Sequence, residues 1–187
     1  MAALLAKPDR LRPTPLGDFR HALRQSTRSE HKALDHRLSK LDITTREGLA
    51  EFCALHLACF ERLSLRSDHD LLPPLITALI ADLAALGGAA TRPNAADPGV
   101  LDPLAVAYIV DGSRLGTQVL RHRWAVATDS QVRAAAAYFS LPFEKTRWPA
   151  TCQALSRVPV GSLRARRIAN DARRLFDMFN AGARQIA

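Results

Sequence analysis

The stretch Asp102-Pro103-Leu104-Ala105-Val106-Ala107-Tyr108-Ile109-Val110-Asp111-Gly112-Ser113-Arg114-Leu115-Gly116-Thr117-Gln118-Val119-Leu120 decides the fold class. Asp can cap a helix with its carboxylate, and Pro suits the first helical position, where no N–H is needed. The pattern then stays helical to about Arg123. Two glycines lie inside it, and each costs a helix interior about 1 kcal/mol relative to alanine. Gly112 and Gly116 are one turn apart, so they share a face and leave a strip of bare backbone. Such a strip admits close approach either by another helix or by a flat ligand.

Working outward, helical periodicity holds almost throughout, and neither an alternating strand nor an Asn-Gly hairpin interrupts it, so the fold is expected to be all-α. After a lead over residues 1–15 that carries Pro8, Pro13 and Pro15, a first helix is expected from Leu16 to Ser39. Leu23, Thr27, His31, Leu34, Leu38 and Leu41 form its stripe at three- and four-residue steps. Thr44-Thr45-Arg46-Glu47 has the Thr-x-x-Glu form of a capping box and starts a second helix, with Leu49, Phe52, Leu55, Phe60 and Leu63 facing inward. A third runs from Leu72 to Leu86 and stops at Gly87-Gly88, where glycine tolerates the left-handed conformation. Residues 88–101 read as a loop before the fourth helix. Further helices are expected over Asp129–Ser140, Lys145–Ser156 and Ser162–Ala183. Neither a repeat nor a long linker divides residues 16–187, so one helical domain is expected.

The 187 residues are 48% apolar and 24% charged, enough for a sizeable core and unlike a disordered chain. Lys and Arg exceed Asp and Glu by 26 to 18, a net charge of +8, spread from Arg10 to Arg184 without a basic run. That field favours acidic partners without selecting one. Cys53, Cys59 and Cys152 form no Cys-x-x-Cys pair, and their odd number argues against a disulfide framework. Met1 to Lys7 lacks a basic residue ahead of its short apolar stretch, and no segment approaches the ~18 apolar residues of a membrane span. A soluble cytoplasmic protein with no membrane partner is the expectation.

His31 stands in an apolar stripe where leucine is the usual occupant. It reads either as a hydrogen-bonded core residue or as a metal or catalytic group. Arg24 precedes it by two turns, about 10 Å at 1.5 Å per residue, within reach of an anionic group on a ligand held by the imidazole. Cys53, His56 and Cys59 lie at three-residue steps but lack a fourth zinc ligand. Glu-x-x-His is absent from the sequence, which disfavours a di-iron carboxylate bundle. Phosphate-binding Gly-Lys-Ser/Thr loops, dinucleotide fingerprints and Gly-x-Ser-x-Gly elbows are absent too.

Leu23-Arg24-Gln25-Ser26-Thr27-Arg28-Ser29-Glu30-His31-Lys32-Ala33-Leu34-Asp35, with Tyr108 through Leu120 some eighty residues later, resembles the biliverdin-producing heme oxygenases, particularly their bacterial branch. The resemblance in helix pattern extends over residues 16–183. It implies an all-α, single-domain bundle with heme between the first and fourth predicted helices. It implies His31 as the axial ligand of heme iron and Arg24 as a propionate contact. Thr27 and Tyr108 are implied to line the heme, and Gly112 and Gly116 to approach it with bare backbone. Ser113 stands where mammalian-type members carry an Asp that organises distal water, while Asp35 matches an acid of some bacterial members. Gly112, Ser113, Gly116 and Asp35 are therefore the implied catalytic set. Thr117 replaces a glycine common in the family, which puts helix flexibility and heme clearance in question. Arg164, Arg166, Arg167, Arg173 and Arg174 on the last helix are further candidates for a propionate contact.

The activity implied is cleavage of heme, as cofactor and substrate, to biliverdin, carbon monoxide and ferrous iron with O2 and an external electron donor. An acidic ferredoxin or another reductase is the implied donor, and a bilin-accepting photoreceptor is an implied recipient. A non-catalytic heme-binding sensor or carrier on the same fold is the alternative, motivated by Ser113 and Thr117. A thiaminase-like enzyme on the same fold and a basic DNA-binding module are further rivals; the latter lacks a helix-turn-helix signal, so no nucleic-acid partner is expected.

Overall fold

Asp18 opens the first helix by accepting the Arg20 N–H on its side chain at 3.0 Å. The computed structural model describes residues 18–88 and 90–186. The lead over residues 1–15 and the expected start at Leu16 lie outside the described residues. The single helix expected up to Ser39 is divided at Thr27 into α1 (Phe19–Ser26) and α2 (Arg28–Leu38). Thr27 has φ −110° and ψ 7°, and its hydroxyl donates to the Leu23 carbonyl at 2.9 Å. That back-bonding competes with the regular ladder and bends helices.

α3 (Arg46–Ser64) is the central element, apolar nearly all round, and buries Leu49, Phe52, Leu55, Phe60 and Leu63 as expected. Its cap is Thr45, which accepts the Gly48 N–H at 3.2 Å. This corrects the predicted box by one residue, because Asp42 captures the Thr44 hydroxyl at 2.7 Å. α4 (Leu72–Ala85) packs along α3 and ends where predicted, with Gly87 and Gly88 at φ 89° and 69°. α5 (Pro103–Trp124) starts on Asp102, whose Oδ1 accepts the Leu104 N–H at 3.0 Å.

The helix expected over Asp129–Ser140 is two short ones, α6 (Ser130–Ala134) and α7 (Ala137–Ser140). Their separation has a cause in α4: buried Asp82 accepts the N–H groups of Ala137 and Tyr138 at 2.7 and 2.9 Å and so caps a new helix. Burial pushes the Asp82 carboxyl above its usual range. α8 (Arg147–Ser156) and α9 (Leu163–Ala183) complete the order, the latter capped by Ser162.

The described residues form one all-helical bundle without strands. One core fills the space among α3, α4, α7 and α9, and a smaller one joins Phe19, Leu23, Ala105, Leu155, Ile168 and Ala172. None of the described helices is long and apolar enough to cross a membrane. For the site, the decisive packing is that of α9: it carries α2 on one flank and α5 on the other, while α2 and α5 make at most marginal contact with each other.

Candidate functional site between α2 and α5

α2 buries none of its own side chains completely, although Leu34 and Leu38 lean on the main core. An isolated eleven-residue helix is marginal in water, so its position derives from α9 and from ties at its two ends. At one end, Thr27 Oγ1 approaches Tyr108 Oη to 3.5 Å. At the other, Arg123 of α5 donates to the Leu41 carbonyl at 3.3 Å. Tyr108 and Arg123 are fifteen residues apart, about 22 Å of helix at 1.5 Å per residue. Between the ties α2 and α5 make at most marginal contact with each other, and α9 packs against both.

His31 stands on α2 with its side chain 57% exposed. Its ring meets Phe176 of α9 edge-on, with centroids 5.4 Å apart. The core-residue reading of His31 is therefore set aside: exposure leaves one ring nitrogen accessible. Nδ1 lies 3.0 Å from Asp35 Oδ2, and a carboxylate there favours the tautomer protonated on Nδ1, leaving the Nε2 lone pair for a metal. Arg24 is exposed one helix earlier, and Tyr108 is half-buried beside Phe176 and Trp148. Thr27 is brought to the same end of the site but is buried, its hydroxyl committed to Leu23 and Tyr108.

The two glycines of the bare strip differ. A Cβ on Gly112 would meet the indole of Trp148 at 3.3 Å, closer than ordinary van der Waals contact, whereas a Cβ on Gly116 would meet nothing within 4 Å. Helix packing accounts for Gly112, and only Gly116 presents open backbone. Exposed Leu115 and Val119 flank it, adding apolar surface where a solvated helix usually carries charge. Ser113 is half-buried and its hydroxyl donates to the Val110 carbonyl at 2.7 Å. Thr117 points the other way: it is buried, donates to the Ser113 carbonyl at 3.1 Å and lies 3.3 Å from Tyr138 Oη, so it takes no room from the strip.

The basic side chains of α9 are engaged elsewhere. Arg164 pairs with Asp102, Arg167 approaches Asp171 to 3.9 Å, and Arg166 reaches the Gly161 carbonyl. Arg173 donates to the Ser26 carbonyl and Asn170, and Arg174 to the Pro98 and Val100 carbonyls. Of these, Arg173 stands nearest the site, at the α1–α2 junction. Sequence reasoning missed Phe176 and Trp148. The α9 stripe of Ile168, Ala172 and Phe176 is readable as core, but nothing local marks Phe176 as the partner of His31 or Trp148 as that of Gly112.

The Cys53–His56–Cys59 set is core. His56 donates from Nδ1 to the Phe52 carbonyl at 2.8 Å, and burial brings its pKa down to about 4. Burial pushes the Cys59 thiol up to about 12 and the Cys53 thiol higher still. Among the described residues, three or more His, Cys, Asp or Glu side chains nowhere gather as a metal-binding group; axial heme ligation needs a single imidazole. A separate cleft of about 440 Å³, lined by Arg37, Leu38, Lys40, Leu41, Glu51, Ala183 and Ile186, contains none of the candidate catalytic or heme-binding residues.

In comparisons with known proteins, the chain matches no protein-family model and no curated protein.

Proposed function

We propose that the chain binds heme between α2 and α5 through His31 and acts as a heme oxygenase, producing biliverdin, carbon monoxide and ferrous iron with O2 and an external reductant. One observation carries the reading: an exposed imidazole, backed by a carboxylate at Nδ1 and edged by Phe176, lies on α2, which packs on the same α9 as the helix whose open glycine is Gly116. The residues fit the group on this side. A planar, largely apolar ligand suits the half-buried Leu34, Tyr108 and the exposed Leu115 and Val119, and an accessible nitrogen suits iron.

In this reading bound heme supplies both the iron that activates O2 and the macrocycle that is opened. The chain supplies placement. His31 Nε2 would hold the iron, while Asp35 holds the imidazole orientation. Phe176 limits ring rotation. Gly116 would leave backbone free of a side chain for a flat ligand, and Trp148 with Tyr108 forms an aromatic wall at the Gly112 end. Arg24 supplies an exposed cation for a propionate. An acidic ferredoxin or another reductase suits the +8 charge as donor, with electron transfer slowed by added salt.

A non-catalytic heme-binding sensor or carrier is favoured by one feature. The Ser113 hydroxyl is spent on its own helix, and a site that cleaves heme needs polar hydrogen-bond donors on the oxygen side. Heme titration followed by aerobic reduction separates the readings. Conversion of the bound complex to biliverdin supports the oxygenase, a persistent complex supports the carrier, and failure to bind heme rejects both.

A further inference from the structure

On α5, Asp111 and Arg114 are each only 4% exposed. With Arg147 of α8 they line a crevice of about 10 Å³, closed further by Leu71, Phe143 and Trp148. Three buried polar atoms there have no hydrogen-bond partner on the protein: Asp111 Oδ1, Arg114 Nη1 and Arg147 Nε. His69 Nε2 and Arg147 Nη1 stand 3.3 and 3.9 Å from Asp111 Oδ1, and Glu144 Oε2 lies 3.6 Å from Arg147 Nε, all without hydrogen-bonding geometry. Leaving such groups unsatisfied is costly, and all three border one crevice whose size suits a single water.

We propose that this crevice is a built hydration site. One water donates to Asp111 Oδ1 and accepts from Arg114 Nη1 and Arg147 Nε, and the bridged cluster seats Trp148 on Gly112. Other atoms of the cluster are bonded within the fold. Thr151 donates to Asp111 Oδ2 at 2.6 Å, and Arg114 Nη2 donates to the Leu141 carbonyl at 3.2 Å. Arg147 clamps Asp70 with both terminal nitrogens at 2.8 and 2.7 Å. Asp111 precedes Gly112 on α5 just as Arg147 precedes Trp148 on α8. The bridge therefore fixes the two residues whose neighbours make the indole-on-glycine contact, so Asp111, Arg114 and Arg147 are positioning residues for the Trp148 wall. This inference does not depend on heme.

The test uses the full chain in two measurements. A crystal structure of the unmodified protein is expected to show one water within hydrogen-bond distance of Asp111 Oδ1 and at least one of the two guanidinium groups. A dry crevice, or guanidinium groups turned to solvent, overturns the proposal. Fluorotryptophan labelling reads Trp148 and Trp124 as two fluorine resonances, with Trp148→Phe assigning them. Arg114→Met should shift or split the Trp148 signal and leave that of Trp124 in place, and Arg114→Lys, which keeps a donor, should restore a single line. A Trp148 signal unmoved by Arg114→Met refutes the positioning role. Should that variant not fold, the crystal structure still decides the water.

Discussion

His56 and His31 each stand in an apolar stripe of the sequence, and the bundle treats them in opposite ways. His56 on α3 is sealed among Phe52, Phe60, Tyr138 and Phe179, with its Nδ1 proton given to a carbonyl in its own helix. His31 on α2 meets one aromatic edge and one carboxylate and otherwise faces solvent. The difference is set by what lies beyond each helix. α3 is enclosed by α4 and α9, whereas α2 has α9 alone on its flank. A histidine inside an apolar pattern is inert or available according to the number of elements that close over it.

The largest effect that can break this contrast is at His31. His31→Ala should abolish the axial ligation seen in heme titration spectra while changing stability by less than about 0.5 kcal/mol, as for an exposed site. An unchanged heme spectrum would remove His31 as the ligand.

The buried histidine makes the reverse prediction. Its folded-state pKa of about 4 lies below the ordinary value of 6.5. The unfolded chain therefore takes up a proton first as pH falls, and stability drops from about pH 6.5 down to about pH 4. Between pH 7 and 5 this group alone should cost about 2 kcal/mol. Denaturant unfolding at the two pH values should show that loss in the unmodified protein and a loss smaller by about 2 kcal/mol in His56→Phe. Equal losses would mean that His56 is not neutral in the fold.

The two glycines extend the comparison at smaller amplitude. Gly116→Ala should stabilise the protein by about 0.5–1 kcal/mol, since it adds helix propensity in open space. Gly112→Ala should gain nothing and lose about 1 kcal/mol by forcing the Trp148 ring away. Thermal unfolding of the pair checks this. Gly116→Leu, which places bulk on the open side, should weaken heme binding while unfolding like the unmodified protein to within about 1 kcal/mol. Normal heme affinity in that variant would leave the proposed ligand face without support.

Helix ends were legible wherever a single residue chemistry dominates. Asp102-Pro103 starts α5 and Gly87-Gly88 ends α4 as read, because cap and left-handed preference act locally. Reading failed where another side chain competed for a cap. Asp82 of α4 splits α6 from α7, and Asp42 takes the hydroxyl of the first of two adjacent threonines and leaves the cap to the second. In the site, His31 and Asp35 are neighbours in sequence and their pairing follows from helical spacing. The division of labour between Gly112 and Gly116 does not, since it depends on an indole thirty-six residues beyond Gly112 that no periodicity points to.

The ties at Thr27–Tyr108 and Leu41–Arg123 make α5 resemble a beam clamped at both ends. A clamped beam yields most at mid-span, and the middle of this one falls at Leu115–Gly116, where open backbone and a glycine coincide. A ligand bound as proposed would meet this turn on its open glycine face, while buried Arg114 and Thr117 hold its other face to the bundle. The clamped ends keep the two helices in register.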